Sequence, residues 1–121
     1  MNRALIVIAG LMGAAGIALA AMGAHGADLP RLVTASSMLL FHAPVILAAV
    51  LLRDRQLVQR HVAIVAAIGF AAGAILFASD LAARDLAGHA LFAMAAPTGG
   101  TILIGAWIVL AFAGLVARRT A

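Results

Sequence analysis

The sequence contains no cysteine, tyrosine, lysine or glutamate. The lack of cysteine excludes disulfides, thiolate metal ligands and cysteine nucleophiles together. Without lysine and glutamate, formal charge rests on eight arginines and four aspartates, and charged residues are only 10% of the chain. Soluble domains carry about 25%. Hydrophobic residues make up 66% of the 121 positions. A soluble domain of this size cannot bury so much apolar surface. A net charge of +4 would suit nucleic acid if the arginines lined one face. They sit instead at the ends of apolar runs, as topology determinants do, which argues against nucleic acid as a partner.

The arginines at 3, 31, 53, 55, 60, 84, 118 and 119 divide the chain into long apolar runs. A hydrocarbon layer of about 30 Å needs roughly 20 apolar residues of helix. The predicted fold is therefore an all-α membrane protein: a four-transmembrane-helix bundle forming one integral membrane domain over residues 1–121. Spans are expected over 5–24, 32–52, 62–81 and 101–117. The first also has the form of a signal peptide, with Arg3 ahead of an apolar stretch and Ala18-Leu19-Ala20 as a cleavage motif. The apolar run continues past that motif to Ala24, which favours an uncleaved span. From Leu86 to Ala117 no side chain is formally charged, and a helix that long would measure about 48 Å. Pro97-Thr98-Gly99-Gly100 is expected to break it, leaving 86–96 as a short interfacial or re-entrant helix before the fourth span.

Four crossings place both ends of the chain on one side. That side collects Arg3, Arg53, Arg55, Arg60, Arg118 and Arg119 against one acid, Asp54. The other holds Arg31 and Arg84 with Asp28, Asp80 and Asp85. The arginine bias predicts cytoplasmic termini in a bacterial inner membrane. Small residues then mark packing faces. Ala9, Gly13, Gly16, Ala20 and Gly23 form one stripe on the first span, and Gly69 and Gly73 form another on the third. Such stripes let membrane helices approach closely. Packing within the bundle is expected before homodimerisation.

Taken in order, Gly23-Ala24-His25, Phe41-His42, Gly73-x-x-x-Phe77, and Pro97-Thr98-Gly99-Gly100 with Trp107 seven residues on resemble the YgdD-type small inner-membrane proteins. That family is of unknown function and has mitochondrial relatives. The resemblance spans nearly the whole chain and implies four spans, with no catalytic residue to carry over. The chain departs from the family pattern after Phe77. Asp80 stands at a hydroxyl position, Ala82 at an aromatic one, and Ala96 where a threonine normally precedes the proline.

His42 falls in the middle of the second span, where an ionisable residue is costly and therefore a functional candidate. It is either a ligand or proton site or a structural histidine. For the latter, Pro44 donates nothing to the carbonyl of Leu40 and leaves a spare acceptor in the same turn. His25, Asp80 and the Pro97, Gly99 and Gly100 break are further ligand candidates, since interrupted helices expose backbone groups. The alternative for the break is a helix start with Thr98 as cap. His25, Asp28, Asp80, Asp85 and His89 on the outer connections offer imidazoles and carboxylates suited to a metal, with His25, His89 and Asp80 as its ligands, but without a helix-borne ligand spacing. The alternative is solvated loop residues and helix caps, with Asp80 and Asp85 paired to Arg84 or Arg31. A haem held by His25 and His42 is disfavoured by depths about 15 Å apart, and no cofactor is expected. Trp107 is expected to pack on the small stripe of the first helix. No nucleophile triad or phosphate loop is present.

Two functions follow from the sequence. The first is a non-enzymatic accessory or assembly subunit of a larger membrane complex, such as a respiratory one, or a homo-oligomer. Its partners would be the lipid bilayer and other membrane proteins or itself. The second is a binding or transport module for a lipid, quinone, metal or ion centred on His42.

Overall fold

The computed structural model describes residues 2–26 and 28–118. Four helices follow one another: α1 (Asn2–His25), α2 (Pro30–Asp54), α3 (Arg60–Leu86) and α4 (Ala95–Leu115). Among the described residues there is no strand. Each helix is long and apolar enough to cross a membrane, and these are the properties of a multi-pass membrane protein. Arg119 lies outside the described residues.

Each helix packs against its neighbour in the chain, and α3 also touches α1. By contrast, α1 and α4 make no extensive contact with each other. The result is a central pair, α2 and α3, flanked by α1 and α4. The most apolar stretches of the central helices are 44% buried, those of the flanking helices 22%. The core consists of alanines from all four helices with Leu5, Met12, Leu39, Ile46, Phe70 and Leu103. Alanine dominates because helix association in lipid depends on close contact rather than on withdrawal of apolar surface from water.

The closest approach is between α3 and α4. A Cβ on Gly99 would lie 2.7 Å from the Phe77 amide nitrogen and 2.8 Å from the Gly73 carbonyl oxygen. A Cβ on Gly73 would meet the Gly99 carbonyl oxygen at 2.9 Å, and one on Gly69 would meet Ala106 at 3.0 Å. Between α1 and α2 the equivalent place is Gly16, whose Cβ would overlap Leu40. The Ser36 hydroxyl donates to the Gly16 carbonyl across this contact at 2.8 Å. Gly16, Gly23, Gly69 and Gly73 thus serve packing within the bundle, as the stripes predict. Gly13 does not, since nothing lies within 4 Å of its missing Cβ.

The expected break before the fourth span is not there. Residues 87–94 form turns rather than a short interfacial or re-entrant helix, and α4 is continuous from Ala95 through Pro97, Gly99 and Gly100. Pro97 lies in the first turn, where its missing N–H has no intrahelical acceptor to lose. Gly99 and its neighbour look like breakers in sequence, but Gly99 is the residue that lets α4 seat against the α3 backbone. The other helices also extend past the predicted spans, α3 by a full turn to Leu86.

Adding one methyl at the α3–α4 contact is expected to force the helices apart. Gly99→Ala should lower the thermal unfolding midpoint in mild detergent, with a loss of about 1–3 kcal/mol as for overpacked interiors. Gly105→Ala, where nothing lies within 4 Å, should leave it unlowered or raise it slightly, since alanine favours the helix. Equal midpoints for the two variants would contradict the packing assigned to Gly99.

Candidate functional site

His42 sits at the midpoint of α2 and is 4% exposed. Its Nδ1 lies 2.8 Å from the Met38 carbonyl oxygen, one turn back on the same helix. A carbonyl only accepts, so Nδ1 carries the proton. The indole Nε1–H of Trp107 points at His42 Nε2 from α4, at 3.3 Å. An indole N–H only donates, so Nε2 is the acceptor. The two bonds together select the neutral tautomer protonated at Nδ1. The partner carbonyl is that of Met38, not the Leu40 carbonyl freed by Pro44.

Aromatic rings close around this pair. The Phe70 and Trp107 centroids are 4.9 Å apart in an edge-to-face arrangement. His42 lies 5.9 Å from Phe70 and 6.1 Å from Trp107. Phe41 covers the outer edge, 5.4 Å from His42 and 6.3 Å from Trp107. Phe70 is fully buried. Trp107 therefore packs against α2 and α3, not against the small stripe of α1. Both histidine nitrogens thus have partners within the protein.

At the opposite end from the chain termini, α3 finishes with two acids that hold other elements in place. Asp80 is fully buried. Its Oδ2 accepts from Arg84 Nε at 3.0 Å, and its Oδ1 accepts from the Leu91 amide at 2.9 Å. This carboxylate ties the turn segment 87–94 to α3. Asp85 reaches the start of α2, where Oδ2 accepts from the Leu32 amide at 3.1 Å and Oδ1 from Arg31 Nη1 at 3.2 Å. Leu29 supplies no side-chain cap there, so an acid from a distant helix takes that place. A carboxylate beside a helix N-terminus also meets its favourable dipole.

The remaining sequence candidates do not converge. His25 is exposed at the end of α1. His89 is exposed in the turn, its Nδ1 against the Ala90 carbonyl oxygen at 2.9 Å. Among the described residues no group of three or more His, Cys, Asp or Glu could hold a metal ion. The expected site of His25, His89 and Asp80 is thus not formed, because both oxygens of Asp80 are engaged within the α3–α4 connection. Pro97, Gly99 and Gly100 line no helix break and offer no freed backbone for a ligand. The pairing of Asp80 and Asp85 with Arg84 and Arg31 is found as the sequence suggests, but neither Phe70 nor the Asp85 bond to the Leu32 amide is apparent there. Phe70 resembles any apolar core position, and the Leu32 amide lies 53 residues from Asp85.

The model of a family described as proteins of unknown function, DUF423, matches residues 19–100. The chain belongs to the DUF423 family. No curated protein and no solved structure matches it. The stretch shared with DUF423 includes His42, Phe70, Gly73, Asp80 and Gly99, and it ends before Trp107.

Two outcomes test these roles in this DUF423 protein. In a double-mutant cycle on His42→Phe and Trp107→Phe, both single variants should lower thermal stability. Their coupling should be about 0.6 kcal/mol, typical of hydrogen bonds between membrane helices. Strict additivity would show that the bond contributes nothing. For Asp80→Ala, hydrogen exchange should speed up at the Leu91 amide while exchange in the centre of α2 stays slow. An unchanged Leu91 rate would remove Asp80 as the anchor of the turn.

Proposed function

We propose that this DUF423 protein is a non-enzymatic accessory or assembly component of a larger complex in the bacterial inner membrane. Both termini face the cytoplasm, on the side that gathers Arg3, Arg53, Arg55 and Arg60. Within the family, the ordered motifs resemble those of the YgdD-type proteins.

The observation that carries this reading is the open flank of the bundle. α1 and α4 are the least buried helices, and both present glycines to open space. No atom lies within 4 Å of a Cβ placed on Gly10 or Gly13 in α1, or on Gly105 or Gly114 in α4. Glycine weakens a helix by about 1 kcal/mol relative to alanine. Those four positions gain no contact inside the bundle to offset that. A small-residue face turned outward suits another membrane helix. The competing reading, a ligand site centred on His42, has little support, because both ring nitrogens are already bonded within the protein.

The cysteine-free chain makes this directly testable. Single-cysteine variants at Gly10 and Gly105 should form disulfide adducts in native membranes, to a second copy or to another membrane protein identified by mass spectrometry. A cysteine at the exposed α3 residue Val65 serves as the lipid-facing control. Adducts no more frequent at Gly10 and Gly105 than at Val65 would overturn the proposal.

A further inference from the structure

The arginine-rich end of the bundle encloses more than a set of topology signals. An open-mouthed cavity of about 830 Å³ lies between the start of α1, the α2–α3 turn and the end of α4. Asn2, Arg53, Asp54, Arg60, His61 and Arg118 line it. Its one acid, Asp54, accepts from Asn2 Nδ2 at 3.0 and 3.1 Å and pairs with Arg53 Nη1 at 3.7 Å. Arg53 donates through Nη1 to the Asn2 side-chain oxygen. Its Nε is buried without a hydrogen-bond partner. Arg60 and Arg118 form no ion pair among the described residues.

The bias of arginine toward one side of a membrane explains loop arginines that are solvated. It does not explain one whose Nε is buried without a partner, or three lining one cavity beside a single acid. Asp54 offsets one of the three guanidiniums, and the excess positive charge that remains favours a further anion. The first turn of α3 opens on the same space. Gln59 caps the Val62 amide, while the amides of Arg60 and His61 have no intrahelical acceptor. Guanidinium forks match phosphate oxygens bidentately. A basic pocket between helices at the membrane surface is suited to a phospholipid headgroup.

We propose that this cavity binds a phosphate group, carried either by an anionic phospholipid headgroup or by a soluble phosphate. Arg53 would bind from the floor, with Arg60 and Arg118 at the rim. Native mass spectrometry of the full chain tests it, with phosphatidylglycerol, phosphatidylcholine and inorganic phosphate as probes. Arg55→Gln is the control. It removes the same charge from the same turn but does not line the cavity. For a lipid source, the unaltered protein retains phosphatidylglycerol over phosphatidylcholine. Arg60→Gln then cuts that retention about fivefold, the weight of one basic residue near a membrane surface, and Arg55→Gln leaves it nearly intact. For a soluble source, inorganic phosphate raises the thermal midpoint over chloride at equal ionic strength, and Arg60→Gln abolishes the rise. Equal losses in the two variants, or no preference for either phosphate probe, would overturn the proposal. Unchanged unfolding midpoints without added ligand serve as the check that both variants fold.

Discussion

Hydrocarbon offers no hydrogen-bond partners, so a polar group placed inside a membrane helix must find its partners within the protein. The three buried polar side chains among the described residues obey this rule, each in its own way. Ser36 reaches across to the Gly16 carbonyl, His42 takes one partner from its own helix and one from α4, and Asp80 binds an arginine and a backbone amide. Ser36 and His42 each join two helices, whereas Asp80 ties the turn that follows α3 back to its own helix. Two of the polar groups that a membrane penalises thus fix how helices meet, and the third fixes a connection.

Close packing is the complement of that constraint. Glycine at 73 and 99 brings the α3 and α4 backbones together, and glycine at 16 does the same for α1 against α2. With those contacts fixed, Trp107 stands over Phe70 and within reach of His42. Asp85 meets the start of α2 from the other side of the layer. The flanks remain unpaired, and outward-facing glycines on α1 and α4 are the features that point beyond the single chain.

Much of this was legible in the sequence. Runs of apolar residues between arginine clusters predict four spans, and the four helices are found there. The small-residue stripes predict Gly13, Gly16, Gly23, Gly69 and Gly73 as packing positions, and all but Gly13 meet another helix. The failures have physical reasons. Pro97-Thr98-Gly99-Gly100 has the composition of a turn, yet proline is harmless in a first helical turn and glycine there serves close approach. His25, His89 and Asp80 look like ligands because residue type carries no information about partners already engaged. The Asp85 cap on Leu32 and the Trp107 contact with His42 join residues more than 50 positions apart, beyond the reach of any local pattern.

The most direct test is nitrogen-15 NMR of histidine-labelled protein in lipid bilayers, with the His42 signal assigned by its loss in His42→Phe. An internally satisfied imidazole should show a single neutral form, with the proton on Nδ1 and Nε2 bare and hydrogen-bonded. Replacing Trp107 with phenylalanine should shift the Nε2 resonance. A proton on Nε2, or a signal indifferent to Trp107, would contradict the account of how this bundle holds its polar interior.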